Sequence, residues 1–338
     1  MRSLVWTAPS RMEMEERPRP AVRPGWVLLE VEDSGICGSE IGAFLGHNEL
    51  RRPPLVMGHE FSGRVVELGS EVAKEWEGEL VTVNPLLSCG ECRQCRLGMR
   101  QLCYSRKIVG IDMPGSYAEF VAVPASSLYR VKDAVAGALV EPLACGVRAA
   151  ALSGTKVGDS VMVIGAGTIG LMTARVLKAM GAESVTVTDT NPARLKWASA
   201  WGAGAILNPK TDDISTFVKK STAGEGLSAV VDAVGSVETR SQAVASIRRG
   251  GRAVFVGLHD GSATLPGNEI VRFEKQVIGS FSYSDDDFKR AVDMANGGFL
   301  DTSGGWLDIR DLDTGQASFL EQTTPSAPFS KILLTSRR

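Results

Sequence analysis

Histidine and cysteine are scarce in this chain: three and six respectively among 338 residues. Six cysteines are too few to staple a chain of this length, because disulfide-held secreted domains are shorter and denser in cysteine. No sign of charge dominates, with 37 basic residues against 39 acidic ones. That balance argues against an electrostatic grip on nucleic acid or anionic lipid, so neither partner is expected. No apolar run approaches the roughly 20 residues needed to span a bilayer, and no membrane association is expected. Residues 1–9 lack a basic segment followed by an apolar one, so no secretory leader is expected and the cytoplasm is the expected location. Hydrophobic residues make up 43% of the chain, enough to bury a sizeable core, and the length suits two domains.

What is present has two textures. Residues 1–141 read as β-rich, with short runs of β-branched and aromatic residues at 26–32, 61–68 and 117–123, separated by Gly and Pro. Residues 142–283 read as alternating strands and helices. The apolar run 161–164 suits a strand buried on both faces. Ile169, Met172, Val176, Leu177 and Met180 then recur at helical spacing. Residues 184–189 form the next strand pattern. Asn191-Pro192 follows as a helix start, Asn as N-cap and Pro in the first turn. Later strands are expected at 229–232 and 252–257. Strands alternating with helices imply an α/β domain with a parallel, doubly wound sheet. From Ser284 the chain resumes with an N-cap and the acids Asp285, Asp286 and Asp287, read as a solvated first helical turn.

Gly165-Ala166-Gly167-Thr168-Ile169-Gly170 fits G-x-G-x-x-G. The pattern alone is weak, but here it follows a strand and opens a helix. The first glycine permits a tight turn, the second lets backbone approach a pyrophosphate, and the third lets helix pack on strand. The helix start offers unpaired N–H groups to the phosphates. Asp189 closes the following strand, where an acid binds the ribose 2′-hydroxyl and repels a 2′-phosphate. NAD is therefore expected over NADP, with the nearby Arg194 as a counterweight.

Cys89, Cys92, Cys95 and Cys103 crowd into one short stretch, within a lobe of about residues 86–108. Four thiolates at such spacing suit a closed, tetrahedral, structural zinc site. A redox Cys-x-x-Cys pair normally sits beside a βαβ pattern, which is lacking here. A zinc ribbon for nucleic acid is disfavoured by the charge balance.

Cys37, His59, Glu60 and Glu141 are unremarkable one at a time: a small buried thiol, a core imidazole and loop acids. Their order is distinctive. Gly-Ile-Cys-Gly-Ser around Cys37, Gly-His-Glu at His59, the four cysteines, Glu-Pro-Leu at Glu141 and the glycine fingerprint together resemble the medium-chain dehydrogenase/reductase superfamily over nearly the whole chain. Glu141 before Pro resembles its sorbitol and polyol dehydrogenase branch.

The resemblance implies a GroES-like catalytic domain from 1–141 and 284–338, with a Rossmann domain at 142–283 inserted between. It implies two zinc ions per chain. One is structural; the other is catalytic, reached by Cys37, His59 and Glu60, with Glu141 as a fourth ligand or a partner of its water. It implies oxidation of a small secondary alcohol (polyol, sugar alcohol or cyclitol) to a ketone, with hydride passing to NAD. A polyol phosphate, a diol or threonine are alternative substrates, and a non-catalytic NAD-binding relative is the alternative from another class. Ser39 is expected to accept the hydroxyl proton, and Glu40 to orient His59. The family usually has Asp at the position of Glu40 and often a relay His at the position of Gly42. Homodimers or homotetramers are implied as well. Phe44, Leu45, His47, Tyr117, Phe281 and Tyr283 are candidate pocket residues by position, while Arg51-Arg52, which could meet a phosphate, reads rather as a solvated loop.

Overall fold

The computed structural model describes residues 1–47 and 50–336. The chain divides into two compact units, Met1–Glu141 with Ser284–Arg338, and Pro142–Tyr283.

The first unit is discontinuous because its central strand needs the end of the chain. Trp26–Gly35 turns Val27, Leu29 and Val31 into an apolar core and pairs with Glu60–Leu68, with Phe120–Pro124 and with the late strand Lys331–Thr335. Leu80–Val83, Leu128–Arg130 and Leu307–Asp311 complete a seven-stranded sheet. All its pairs are antiparallel except Leu307–Asp311 with Lys331–Thr335. One core gathers Val27, Leu29, Phe61, Val81 and Val121; the other gathers Leu4, Trp6, Phe44, Tyr117, Phe319 and Ile332. The strand expected over 117–123 begins only at Phe120. The preceding residues leave the ladder, since Tyr117 N–H donates to the carbonyl of Met57 and Ala118 bridges Ser3.

The second unit is a six-stranded parallel sheet. Its order is Ala205–Leu207, Ser184–Thr188, Ser160–Ile164, Leu227–Asp232, Ile247–Phe255 and Gln276–Gly279. The order therefore reverses between Ser160–Ile164 and Leu227–Asp232. In open α/β sheets such a reversal opens a crevice beyond the carboxyl ends of the two strands, where ligands bind. Val161, Met162, Val163 and Ile164 are all buried, as a strand covered on both faces requires. Asn191 caps the helix Pro192–Ala200 by accepting the Ala193 N–H at 2.9 Å. Ser284 caps Asp285–Asn296, but the acids after it are only partly solvated. Asp287 is buried and closes the cap by accepting from Ser284, while Asp285 pairs with Arg100 at 3.1 Å.

Candidate active site

Sheet register brings the first cluster together. Gly35 pairs with Glu60 across the antiparallel ladder. Cys37 lies two residues beyond Gly35 and His59 one before Glu60, so thiol, imidazole and carboxylate meet at one end of the sheet. One ligand atom from each of Cys37, His59 and Glu60 falls within 4.8 Å of the others. Gly35 is required here: a Cβ on it would collide with the Glu60 carboxylate. Lys331 arrives on the neighbouring strand. Its buried ammonium donates to Glu60 and, at 2.9 Å, to the carbonyl of Ile36. No role was foreseen for Lys331, because the contact joins residues at opposite ends of the chain.

Glu40 organises this cluster from behind. It is fully buried and accepts from Cys37 N–H at 3.1 Å, Gly58 N–H at 2.8 Å, His59 Nδ1 at 3.0 Å and the Tyr117 hydroxyl. Burial works against its charge, yet His59, Arg51 and Tyr117 hold its carboxyl at about 2. With Nδ1–H given to Glu40, the other ring nitrogen of His59 is left for an ion, the usual arrangement for a ligating imidazole. Burial disfavours a charged His59, but Glu40 and Cys37 outweigh it and raise its pKa. One thiol, one imidazole and one carboxylate are a donor set suited to zinc with a position left open for substrate.

Ser39, half-buried in the helix Gly38–Phe44, donates to Cys37 Sγ at 3.4 Å. Arg51 donates to Ser39 Oγ at 3.2 Å and to its carbonyl at 3.3 Å. Arg51 is buried, contrary to the solvated loop expected of it; Arg52 is exposed. Glu141 is buried in the first turn of the helix Val140–Ser153, with Pro142 beside it. It stands outside the group formed by Cys37, His59 and Glu60. Of the candidate pocket residues, Phe44, Tyr117 and Tyr283 are fully buried core, whereas Leu45, His47 and Phe281 are exposed.

The four remaining ligand candidates converge elsewhere in the same unit. The sulfurs of Cys89 and Cys95 are 3.9 Å apart, those of Cys92 and Cys95 3.5 Å, and those of Cys89 and Cys103 3.5 Å. A tetrahedron of Zn–S bonds near 2.3 Å has edges of roughly 3.8 Å, whereas a disulfide needs about 2 Å. Backbone N–H groups of Cys95 and Tyr104 pull the Cys92 thiol down to about 6, while burial and the adjacent thiols push Cys95 up to about 11. A divalent cation removes that conflict by taking all four as thiolates.

The glycine fingerprint takes the expected form. Gly165 has φ of +101°, which favours glycine. A Cβ on Gly170 would strike the Gly165 carbonyl, so only glycine lets the helix Thr168–Ala179 sit against its strand. A Cβ on Gly167 would meet nothing within 4 Å, which leaves that backbone open to a ligand. Gly167 is the helix N-cap and supplies no side-chain cap, so the first turn begins without one. Asp189 lines an adjoining cavity of about 400 Å³ with Gly165, Glu238, Thr239 and Gln242 among others, and without a Lys or Arg. Its carboxylate accepts from Ala166 N–H and Asn191 N–H, both at 2.7 Å. Arg194 is not among the lining residues.

Residues 168–297 match the family model for the zinc-binding dehydrogenases, and residues 23–133 match the alcohol dehydrogenase GroES-like domain. The chain belongs to the zinc-dependent medium-chain dehydrogenase family. L-galactonate-5-dehydrogenase of Escherichia coli (strain K12) is 31% identical over 292 residues, 86% of each chain. L-threonine 3-dehydrogenase of Rhizobium johnstonii is 32% identical over 278 residues, 80% of each chain. The solved structure of a zinc-binding dehydrogenase of Sinorhizobium meliloti bound to NADP aligns with a TM-score of 0.90 at 30% identity, covering 99% of this chain and 98% of that one. The dehydrogenase thus has the family's two domain types, uses zinc and a nicotinamide cofactor, and oxidises secondary alcohols. Among the described residues, no helix is long and apolar enough to cross a membrane.

Proposed function

We propose that the dehydrogenase oxidises a hydroxylated, sugar-like secondary alcohol to its ketone with NAD, using one catalytic and one structural zinc per chain. The observation that carries this is the Cys37, His59 and Glu60 cluster, tied at its back by Glu40 and flanked by Ser39. When bound, zinc supplies Lewis acidity to the alcohol oxygen and the nicotinamide accepts the hydride.

The chain's own residues do the rest. Cys37, His59 and Glu60 hold the ion. Glu141, buried close by in sequence to the second unit, serves as fourth ligand or as partner of the ion's water, since the Glu60 carboxylate is already shared with Lys331. Glu40 fixes the imidazole and Tyr117 fixes Glu40. Ser39 Oγ, which accepts from Arg51 and donates to Cys37 Sγ, is the group that would take the proton of the substrate hydroxyl while passing on its own. Gly42 offers no side chain to carry that proton further, so the cofactor's ribose, when bound, or His47 would receive it.

NAD rather than NADP is supported by the cavity at Asp189, which carries Glu238 as a second acid and no cation to meet a 2′-phosphate. Gly165, Gly167, Thr168, Ile169 and Gly170 form the pyrophosphate cradle. Cys89, Cys92, Cys95 and Cys103 hold the structural zinc. A homodimer or homotetramer is supported by the edge strand Gln276–Gly279, whose outer side is unpaired among the described residues and whose surroundings expose Val271 and Val277. Four clustered free thiols suit a reducing compartment, the cytoplasm.

The test is NAD reduction by the zinc-loaded protein across polyols, aldonates, polyol phosphates, diols and threonine. A signal on one class, lost on chelation and restored by zinc, supports the reading. Silence across the panel with a single zinc bound sinks it in favour of a non-catalytic relative.

A further inference from the structure

The site holds a cation whose partner is missing. Lys331 has Glu60, and His59 has Glu40. Arg51 is 3% exposed, yet no carboxylate lies within ion-pair distance of it among the described residues. Among the described residues its Nη atoms reach only Ser39, and its buried Nε has no hydrogen-bond partner. Glu40 is near enough to feel the charge, but four other donors already occupy that carboxylate. A guanidinium cannot shed its proton to escape the cost of burial. Buried charges are tolerated when paired, and an unpaired one beside a reacting group marks a place where a ligand brings the counter-charge.

We propose that Arg51 receives an anionic substituent of the substrate, so that the dehydrogenase acts on a hydroxylated carboxylate such as an aldonate in preference to the neutral polyol. This rests on the proposed secondary-alcohol chemistry and names the substrate class within it. The planar fork of Arg51 suits a carboxylate, which takes two parallel N–H donors. Its hold on Ser39 gives the same side chain a reason to sit beside the group that takes the hydroxyl proton. One contact then recognises the acid and sets its carbinol against Ser39. A neutral polyol leaves the guanidinium buried and unpaired, which is the kind of mismatch that gives large discrimination.

The test compares L-galactonate with galactitol, which differ at one carbon, carboxylate against hydroxymethyl. Wild type, Arg51→Lys and Arg51→Met are assayed as zinc-loaded enzymes for kcat and KM, with binding of L-galactonate followed by calorimetry in parallel. The expected result is a wild-type preference for the acid, lost in Arg51→Met through a fall of roughly a hundredfold in kcat/KM for galactonate and a much smaller change for galactitol. Arg51→Lys, which keeps the charge without the fork, should recover part of the preference. The proposal is overturned if wild type treats the two alike, or if Arg51→Met lowers both equally, which would leave Arg51 as a brace for Ser39. An enzyme silent on every alcohol defeats the secondary-alcohol reading instead. The calorimetry still decides Arg51 in that case: binding lost in Arg51→Met supports the anion role, and unchanged or absent binding overturns it.

Discussion

Replacing Lys331 by Met should reveal how Glu60 is held. Lys331 and Glu60 are each about 1% exposed at the side chain, and they meet in a direct ion pair. Removing one member of such a pair leaves the other charge buried without compensation, at a cost of roughly 3–5 kcal/mol. The bond from Lys331 to the Ile36 carbonyl, 2.9 Å long, is lost as well and adds about 1 kcal/mol. With a urea slope near 3 kcal/mol/M, the denaturation midpoint of Lys331→Met should fall by roughly 1.3–2 M. That value applies with chelator present. With zinc bound, the ion answers the Glu60 charge, and the drop should shrink to about half. Urea titrations of both proteins, with chelator and with excess zinc, measure the two drops; the structural zinc cancels because each comparison is made under one condition. A drop below about 0.3 M in chelator would refute the buried-pair reasoning. Equal drops with and without zinc would refute Glu60 as a ligand.

Other substitutions follow from the same geometry. Asp189→Ser should raise the KM for NAD about tenfold and relax discrimination against NADP, as read from initial rates with both cofactors; unchanged cofactor kinetics would remove Asp189 from the ribose site. Ser39→Ala should lower kcat by about a hundredfold with little effect on NAD binding, and near wild-type turnover would show that the proton leaves by another route. Cys95→Ser should remove one zinc and leave the 86–108 lobe open to proteolysis, monitored by metal analysis and limited digestion. Full zinc retention there would mean that the cluster is not a metal site.

Much of the architecture was legible because burial writes itself into local sequence. The strand Ser160–Ile164 is covered on both faces, so it reads as an unbroken apolar run. The caps at Asn191 and Ser284 are single-residue signals with a backbone cause. The hairpin of Arg2–Ala8 and Arg11–Glu16 escaped notice: its turn uses Ser10 at φ of +60° in place of glycine, and its second strand is mostly charged. The Glu-Pro of Glu141 looked like a loop, but Pro142 suits the opening turn of a helix.

At the site, ligand types and spacing were readable, whereas the contacts that tune them were not. Lys331 reaches Glu60 across 271 positions in sequence, Tyr117 reaches Glu40 across 77, and Arg51 reaches Ser39 through a loop that looked solvated. None has a periodic or spacing signature. Each follows from tertiary packing that only the folded chain discloses.

The central claim is that Cys37, His59 and Glu60 form a zinc site separate from the four-cysteine lobe. Metal analysis of the purified wild type and of the double variant Cys37→Ser, His59→Ala, with NAD reduction on the same samples, addresses it directly. The prediction is about two zinc ions per chain in wild type, and about one in the double variant, with turnover abolished and the lobe still loaded. A wild type holding one ion, or a double variant still holding two, would contradict it.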